Sequence, residues 1–183
     1  QIGDKGKEVR LEGDDWKGLI KGKLGYTVSN LWPTKFFLQL NGFDENLKTS
    51  EEYDLLFKFL IAKVDVIRSE SFNTIKINDN ELALTNLNQK ENWNRFMKLR
   101  ERILDELEAN KKMNNEYYSC IFDTIRVGYK YSPESGVEFY KKRIKQHLHI
   151  KSTDISSPEY VFLYKIFGFP ASDRIINLLK FRK

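Results

Sequence analysis

The chain has 183 residues, 40% apolar and 31% charged, with 13 Phe and 9 Tyr; that is enough apolar surface for a packed core and excludes a wholly disordered protein. The single cysteine, Cys120, excludes an internal disulfide and favours a reducing compartment, and its apolar context YYSCIF suits a buried structural thiol. The net charge of +5 is modest, no apolar run reaches the roughly 18 residues a bilayer span requires, and no signal-peptide pattern opens the chain.

Residues 1–30 are polar and spotted with glycine, with a short strand expected at Lys7–Leu11. Thr34–Leu40 can make two helical turns before the Asn41-Gly42 breaker. From Ser50 to Lys63 the pattern is helical: Tyr53, Leu56, Phe57 and Leu60 recur at three and four, and Leu55, Phe59 and Ile61 widen the apolar sector. Val64–Arg68 and Ser71–Ile77 are short and β-branched, so two strands are expected, closed by Asn78-Asp79-Asn80. Asn88 and Glu91 have the spacing of an N-cap with a capping box. Trp93, Phe96, Met97, Arg100, Ile103, Leu104 and Leu107 then mark one face of a long helix to about Asn110. Further helices are expected over Asn115–Tyr129, Ser135–Gln146 and Pro158–Phe167; Gly168-Phe169-Pro170 breaks the last, and an amphipathic helix runs from Ser172 to the end. The aromatic residues of these helices (Tyr117, Tyr118, Phe122, Phe139, Tyr140, Tyr160, Phe162, Tyr164 and Phe167) stand at core spacing. The fold class read from this pattern is α+β and mostly helical, a mixed unit at 1–87 followed by a helical extension at 88–183.

Positive charge gathers late. Lys141, Lys142, Arg143, Lys145 and Lys151 occur with no acid from Tyr140 to Lys151, and Arg174, Lys180, Arg182 and Lys183 follow. Such runs are either a solvated helix face or a surface for anions, a membrane among them. His147 and His149 have no cysteine or paired acids at ligand spacing, so no metal site is expected there. Nothing points to nucleic acid, since no exposed basic sheet of aromatics is indicated.

The stretch NGFDENLKTSEEYDLLFKFL has two physical readings. Thr49 and Glu52 stand three apart, as in a capping box, with Ser50 an alternative N-cap, and Glu51, Glu52 and Asp54 fall where the helix dipole favours acids by roughly 0.3–1 kcal/mol each. Alternatively, one of these carboxylates is placed for chemistry.

The whole string resembles the acceptor-side motif of inverting family 2 glycosyltransferases with the GT-A fold. In that family Gly-Gly-Phe-Asp-Glu, a short loop, and Glu-Asp-x-Asp-Leu with a basic residue follow one another. Here Asn41-Gly42-Phe43-Asp44-Glu45, then Glu51-Glu52-Tyr53-Asp54-Leu55 and Lys58, occupy those places. Gly25 to Asn30 and Thr34-Lys35-Phe36 resemble the preceding flank, and Lys76 to Leu82 resembles the strand end that carries a His, with Asn78 at that position. The resemblance covers residues 18–87 and implies a partial GT-A acceptor-side unit. It implies Glu52 as general base, Glu51, Asp54 and Lys58 ordering the site, and Trp32, Tyr53, Lys58 and Asn78 as acceptor-binding residues, with Trp32 and Tyr53 as stacking platforms.

The implied activity is transfer of a hexose-type unit from a nucleotide-sugar donor to a glycan or lipid-linked acceptor, in polysaccharide or cell-envelope glycan synthesis. The family also uses a divalent ion, Mg²⁺ or Mn²⁺, held by an Asp-x-Asp element. No Asp-x-Asp occurs in this chain; Gly13-Asp14-Asp15-Trp16 resembles its end but precedes Gly42 by too little chain to hold the intervening elements. The donor and metal half is therefore expected outside this chain, which alone is expected to be inactive and to hold no metal. Gln89-Lys90-Glu91-Asn92-Trp93 resembles the Gln-x-x-Arg-Trp of processive relatives, and Asn88 and Glu91 read it as a first helical turn. A cytoplasmic location, with peripheral contact to the inner membrane face, fits these expectations, as does a homodimer that covers the exposed half-domain. The competing reading is a non-catalytic helical module that docks a protein or a membrane.

Overall fold

The computed structural model describes residues 11–69 and 87–180. The chain divides into two compact units, Gln1–Glu81 and Leu82–Lys183. The described residues form eight α-helices, with a 3-10 turn at Thr27–Ser29 and a π-helical turn at Tyr140–Ile144. No strand occurs among the described residues, so they are helical where an α+β pattern is expected. Among them, no helix is long and apolar enough to cross a membrane.

The first unit holds α1 (Asp15–Lys21), α2 (Thr34–Gln39) and α3 (Glu51–Ile61). Asp14 has an extended backbone, and its carboxylate accepts from Lys17 N at 2.7 Å to cap α1. The core is Leu19 and Ile20 of α1, Leu24, and Tyr53, Leu55, Leu56, Phe57 and Phe59 of α3. Burial runs unbroken from Tyr53 to Phe57, which covers the whole circumference of α3 and explains its wide apolar sector. Trp16 meets Phe57 edge-on, ring centroids 6.3 Å apart.

The strand expected at Val64–Arg68 is irregular chain. Its β-branched residues have no described strand to pair with, and Ile67 is 93% exposed. Arg68 returns to α1 instead: its Nε donates to Glu12 O at 2.8 Å, and its guanidinium pairs with Asp15. The expected strand at Ser71–Ile77, the Asn78–Asn80 turn, and all of Lys7–Leu11 but Leu11, which is irregular, lie outside the described residues.

The second unit contains α4 (Gln89–Ala109), α5 (Asn115–Tyr129), α6 (Pro133–Phe139), α7 (Pro158–Phe167) and α8 (Ala171–Lys180). Met97, Leu99, Ile103, Leu104 and Leu107 bury one face of α4. Cys120 of α5 is a free, buried thiol. The helix expected at Ser135–Gln146 is α6 continued by the π-helical turn, in which Lys145 N reaches Tyr140 O at 2.9 Å. Gly168, φ 64 and ψ −178, ends α7 in a backbone region that side chains other than glycine's hardly enter.

Caps separate the helices whose starts behave as expected from those that do not. Asn114 and Ser157 are extended and accept from Tyr117 N (2.9 Å) and Tyr160 N (3.3 Å). Ser50 and Asn88 are left-handed, with φ 67 and 50, and neither side chain makes a capping hydrogen bond. A left-handed N-cap does not present its side chain as an extended one does, so the expected caps by Ser50 and Asn88 are absent. The Asn88–Glu91 capping box fails for the same reason.

An aromatic cluster fills the second unit. Phe122 has Tyr140, Tyr164 and Phe169 within 5.4–5.6 Å, and the Tyr140 and Tyr164 hydroxyls share a hydrogen bond of 2.5 Å. Phe162 and Phe167 are exposed rather than part of it, which corrects the expectation from their spacing. The basic run is also partly engaged: Arg143 lies 2.7 Å from Asp105, 3.1 Å from Glu108 and 3.6 Å from Glu101. That triad of acids on α4 lies outside the run itself.

Burial, then the hydrogen bond it donates to Glu108 at 2.9 Å, pushes the Tyr118 phenol up from 10.0 to about 12. Burial also raises Tyr140 and Tyr160, helped by their bonds to Tyr164 and Asp173. A phenol that holds its proton more tightly when folded adds stability that is full below its unfolded pKa and falls as pH rises through the folded one. For Tyr118 that window is pH 10 to about 12. In an alkaline titration these three tyrosines are expected to ionise only together with loss of helical circular dichroism. Ionisation of all 9 tyrosines near pH 10 with helicity intact would contradict this packing.

Candidate functional site

The turn after α2 is set by Gly42. Its N–H bonds Phe37 O at 2.8 Å, its φ is 59, and a Cβ there would stand 2.9 Å from the Phe37 ring. Only glycine combines that backbone with that approach. Asn41 is also left-handed, φ 59. Asp44 then takes Asn46 N on its carboxylate at 3.0 Å, and Leu47 N bonds Asp44 O, so the Asn41–Glu45 segment is a built turn. Beside it lies an open depression lined by Phe37, Leu38, Asn41, Gly42, Phe43 and Glu45.

Glu51 and Glu52 occupy the first turn of α3, both half-buried. Asp54 is 2% exposed and is met by Lys58 Nζ at 2.9 Å, one turn on. That ion pair gives a buried carboxylate its counter-charge.

Trp32 is half-buried in a ring cluster, edge-on to Phe43 at 6.0 Å and tilted against Phe59 at 5.7 Å. Tyr53 is buried and donates its hydroxyl to Gly25 O at 3.0 Å. Both rings therefore pack internally, and Tyr53 is not presented as a platform for a sugar. Asn78 lies outside the described residues.

Asn30 Nδ2, Trp32 Nε1 and Glu51 Oε2 are shielded from solvent without a hydrogen-bond partner among the described residues. Asn30 and α3 meet at Gly25: a Cβ on Gly25 would stand 2.7 Å from Asn30 Oδ1, and the Gly25 carbonyl takes the Tyr53 hydroxyl. Two donors and a carboxylate oxygen left unsatisfied in one small unit call for a polar ligand or ordered water. The small polar Gly25–Asn30 segment is the only sequence signal for Asn30, because its burial depends on packing.

Among the described residues, no group of three or more His, Cys, Asp or Glu is arranged to hold a metal ion. The described residues therefore offer no set of side chains that fits the divalent ion implied by the resemblance. His147 stacks on Tyr118, centroids 5.1 Å apart, and the backbone of His149 exchanges two 2.8 Å hydrogen bonds with the Asn115 side chain. The Gln89–Trp93 segment opens α4, and Trp93 stacks on Tyr131 at 5.7 Å and meets Phe96 edge-on. No family model, no curated protein and no solved structure matches the chain.

Proposed function

We propose that residues 1–87 are the acceptor-side portion of a GT-A, family 2-like inverting glycosyltransferase, and that residues 88–183 are its helical extension. The enzyme transfers a hexose-type unit from a nucleotide-sugar to a glycan or lipid-linked acceptor. The observation that carries this reading is the pair Glu51 and Glu52 on the first turn of α3, directly after the Gly42 turn, with unsatisfied polar atoms on Asn30, Trp32 and Glu51.

Glu52 is the general base. As the acceptor hydroxyl oxygen bonds to the anomeric carbon, the bond from that carbon to the nucleotide diphosphate breaks and the hydroxyl proton passes to the Glu52 carboxylate. The N-terminal end of α3 favours the charged carboxylate that this step needs. Asp54, fixed by Lys58, supports the turn of helix that carries Glu52. Asn30, Trp32 Nε1 and Glu51 supply donors and an acceptor for sugar hydroxyls, and the depression at Phe37–Glu45 gives the acceptor an apolar wall.

The test is the stereochemistry of the product. The protein carrying this chain, given a panel of nucleotide-sugars and a glycan acceptor, is expected to form a glycosidic bond of anomeric configuration opposite to the donor's, read by NMR. Retained configuration, or no transfer from any donor, overturns the reading.

A further inference from the structure

We infer that the outer side of the α7 and α8 pair is a docking surface for an anionic lipid bilayer. The orientation of α8 is set by its polar residues. Ser172 and Asp173 are buried; Asp173 takes Arg126 Nε at 3.1 Å and the Tyr160 hydroxyl at 2.6 Å, and Ser172 Oγ donates to Gly168 O at 2.9 Å. The apolar residues of α8 are half-buried at Ile175 and Ile176 and exposed toward its C-terminal end. Leu178 is 68% exposed and Leu179 54%, and with Ile175 they have the spacing of one helix face.

On α7, which packs against α8, Tyr160 points inward and the opposite side carries Phe162, 64% exposed, and Ile166, 57% exposed, one turn apart. Single exposed apolar residues are ordinary, but four large ones on consecutive helices mark a surface that is covered in use.

Charge decides what covers it. From Glu159 to Lys183 the bases are Lys165, Arg174, Lys180, Arg182 and Lys183, and the acids are Glu159 and Asp173. Asp173 is already engaged by Arg126 inside the unit. An apolar helix face in a stretch with five bases against two acids suits the headgroup level of an anionic bilayer, where apolar side chains enter the acyl boundary and Lys and Arg meet phosphates. A second copy of the chain would set the same cations against each other. This inference stands on the second unit alone and holds whether or not Glu52 is a base.

Flotation of the 183-residue chain with vesicles separates the cases. Binding is expected to phosphatidylcholine vesicles containing phosphatidylglycerol, weakly to phosphatidylcholine alone, with a steep fall as salt rises. Phe162→Ser with Leu178→Ser is expected to weaken binding at least about tenfold without lowering the melting temperature. Neutralising Lys180, Arg182 and Lys183 to Gln is expected to weaken it on the order of a hundredfold. Equal binding to neutral and anionic vesicles, or unchanged binding by the Ser variant, overturns the inference. So does a concentration-dependent dimer, seen by sedimentation, that the Ser variant abolishes.

Discussion

Asp173→Ala is expected to lower the melting temperature of the second unit by roughly 10–20 °C. Asp173 on α8 is buried and accepts from Arg126 Nε, at 3.1 and 3.3 Å on its two oxygens, and from the Tyr160 hydroxyl at 2.6 Å. The Arg126 side chain is only 9% exposed. Removing the carboxylate leaves that guanidinium without its counter-charge and the phenol without its acceptor, and breaking such a buried pair costs about 3–5 kcal/mol. Arg126 keeps other partners, since Nη1 donates to Ile155 O at 2.9 Å and Ser156 Oγ at 2.8 Å, and its guanidinium lies 3.2 Å over the Tyr160 ring. Those contacts place the cost near the lower end, about 3 kcal/mol, still a large part of the 5–15 kcal/mol typical of a domain. Asp173→Asn keeps an acceptor and should lose about half as much. Arg126→Met with Asp173→Leu removes both charges together and should recover most of the loss. A melting curve of Asp173→Ala within about a degree of the parent would show that the network does not hold α5, α7 and α8 as described.

The sequence reads well where local chemistry and backbone agree. α5 and α7 begin and end where the pattern places them, and the structure adds the local reason, extended caps at Asn114 and Ser157 and a first-turn proline at Pro158. Ser50 and Asn88 carry the same side-chain chemistry but sit in the left-handed region, where neither side chain makes a capping hydrogen bond. Val64–Arg68 has strand-forming residues, yet a strand exists only in a ladder, and Arg68 is held by Glu12 and Asp15 instead. Phe162 stands at core spacing, but the inward side of its helix is taken by Tyr160 and Tyr164. Of the candidate site, the turn at Gly42 and the Asp54–Lys58 pair are legible, since each follows from neighbours in the chain. The internal packing of Tyr53 and the unsatisfied atoms of Asn30 and Trp32 are not, because they depend on which distant segments enclose them.

Glu52→Gln separates a base from a cap by the size of two effects. As a helix-start charge, Glu52 contributes about 0.3–1 kcal/mol to stability, a melting shift of a few degrees at most. As the base in sugar transfer it contributes roughly 10²–10⁴-fold in rate, equivalent to about 3–5 kcal/mol of barrier. The amide keeps the shape and hydrogen-bonding reach of the side chain and removes only the charge and the basic oxygen. Glu52→Asp, the residue that the resemblance expects here, keeps the carboxylate but withdraws it by one methylene. A misplacement of about an ångström costs up to ~10²-fold, so Asp should fall between Gln and the parent. The direct measurement is the rate of sugar transfer by the protein carrying this chain, parent against Glu52→Gln, with melting curves of the same preparations. A loss of about a hundredfold or more with melting changed by no more than a few degrees is the result that proton removal by Glu52 predicts. Transfer within a few-fold of the parent, or a rate loss that only follows the loss of folded protein, would contradict it.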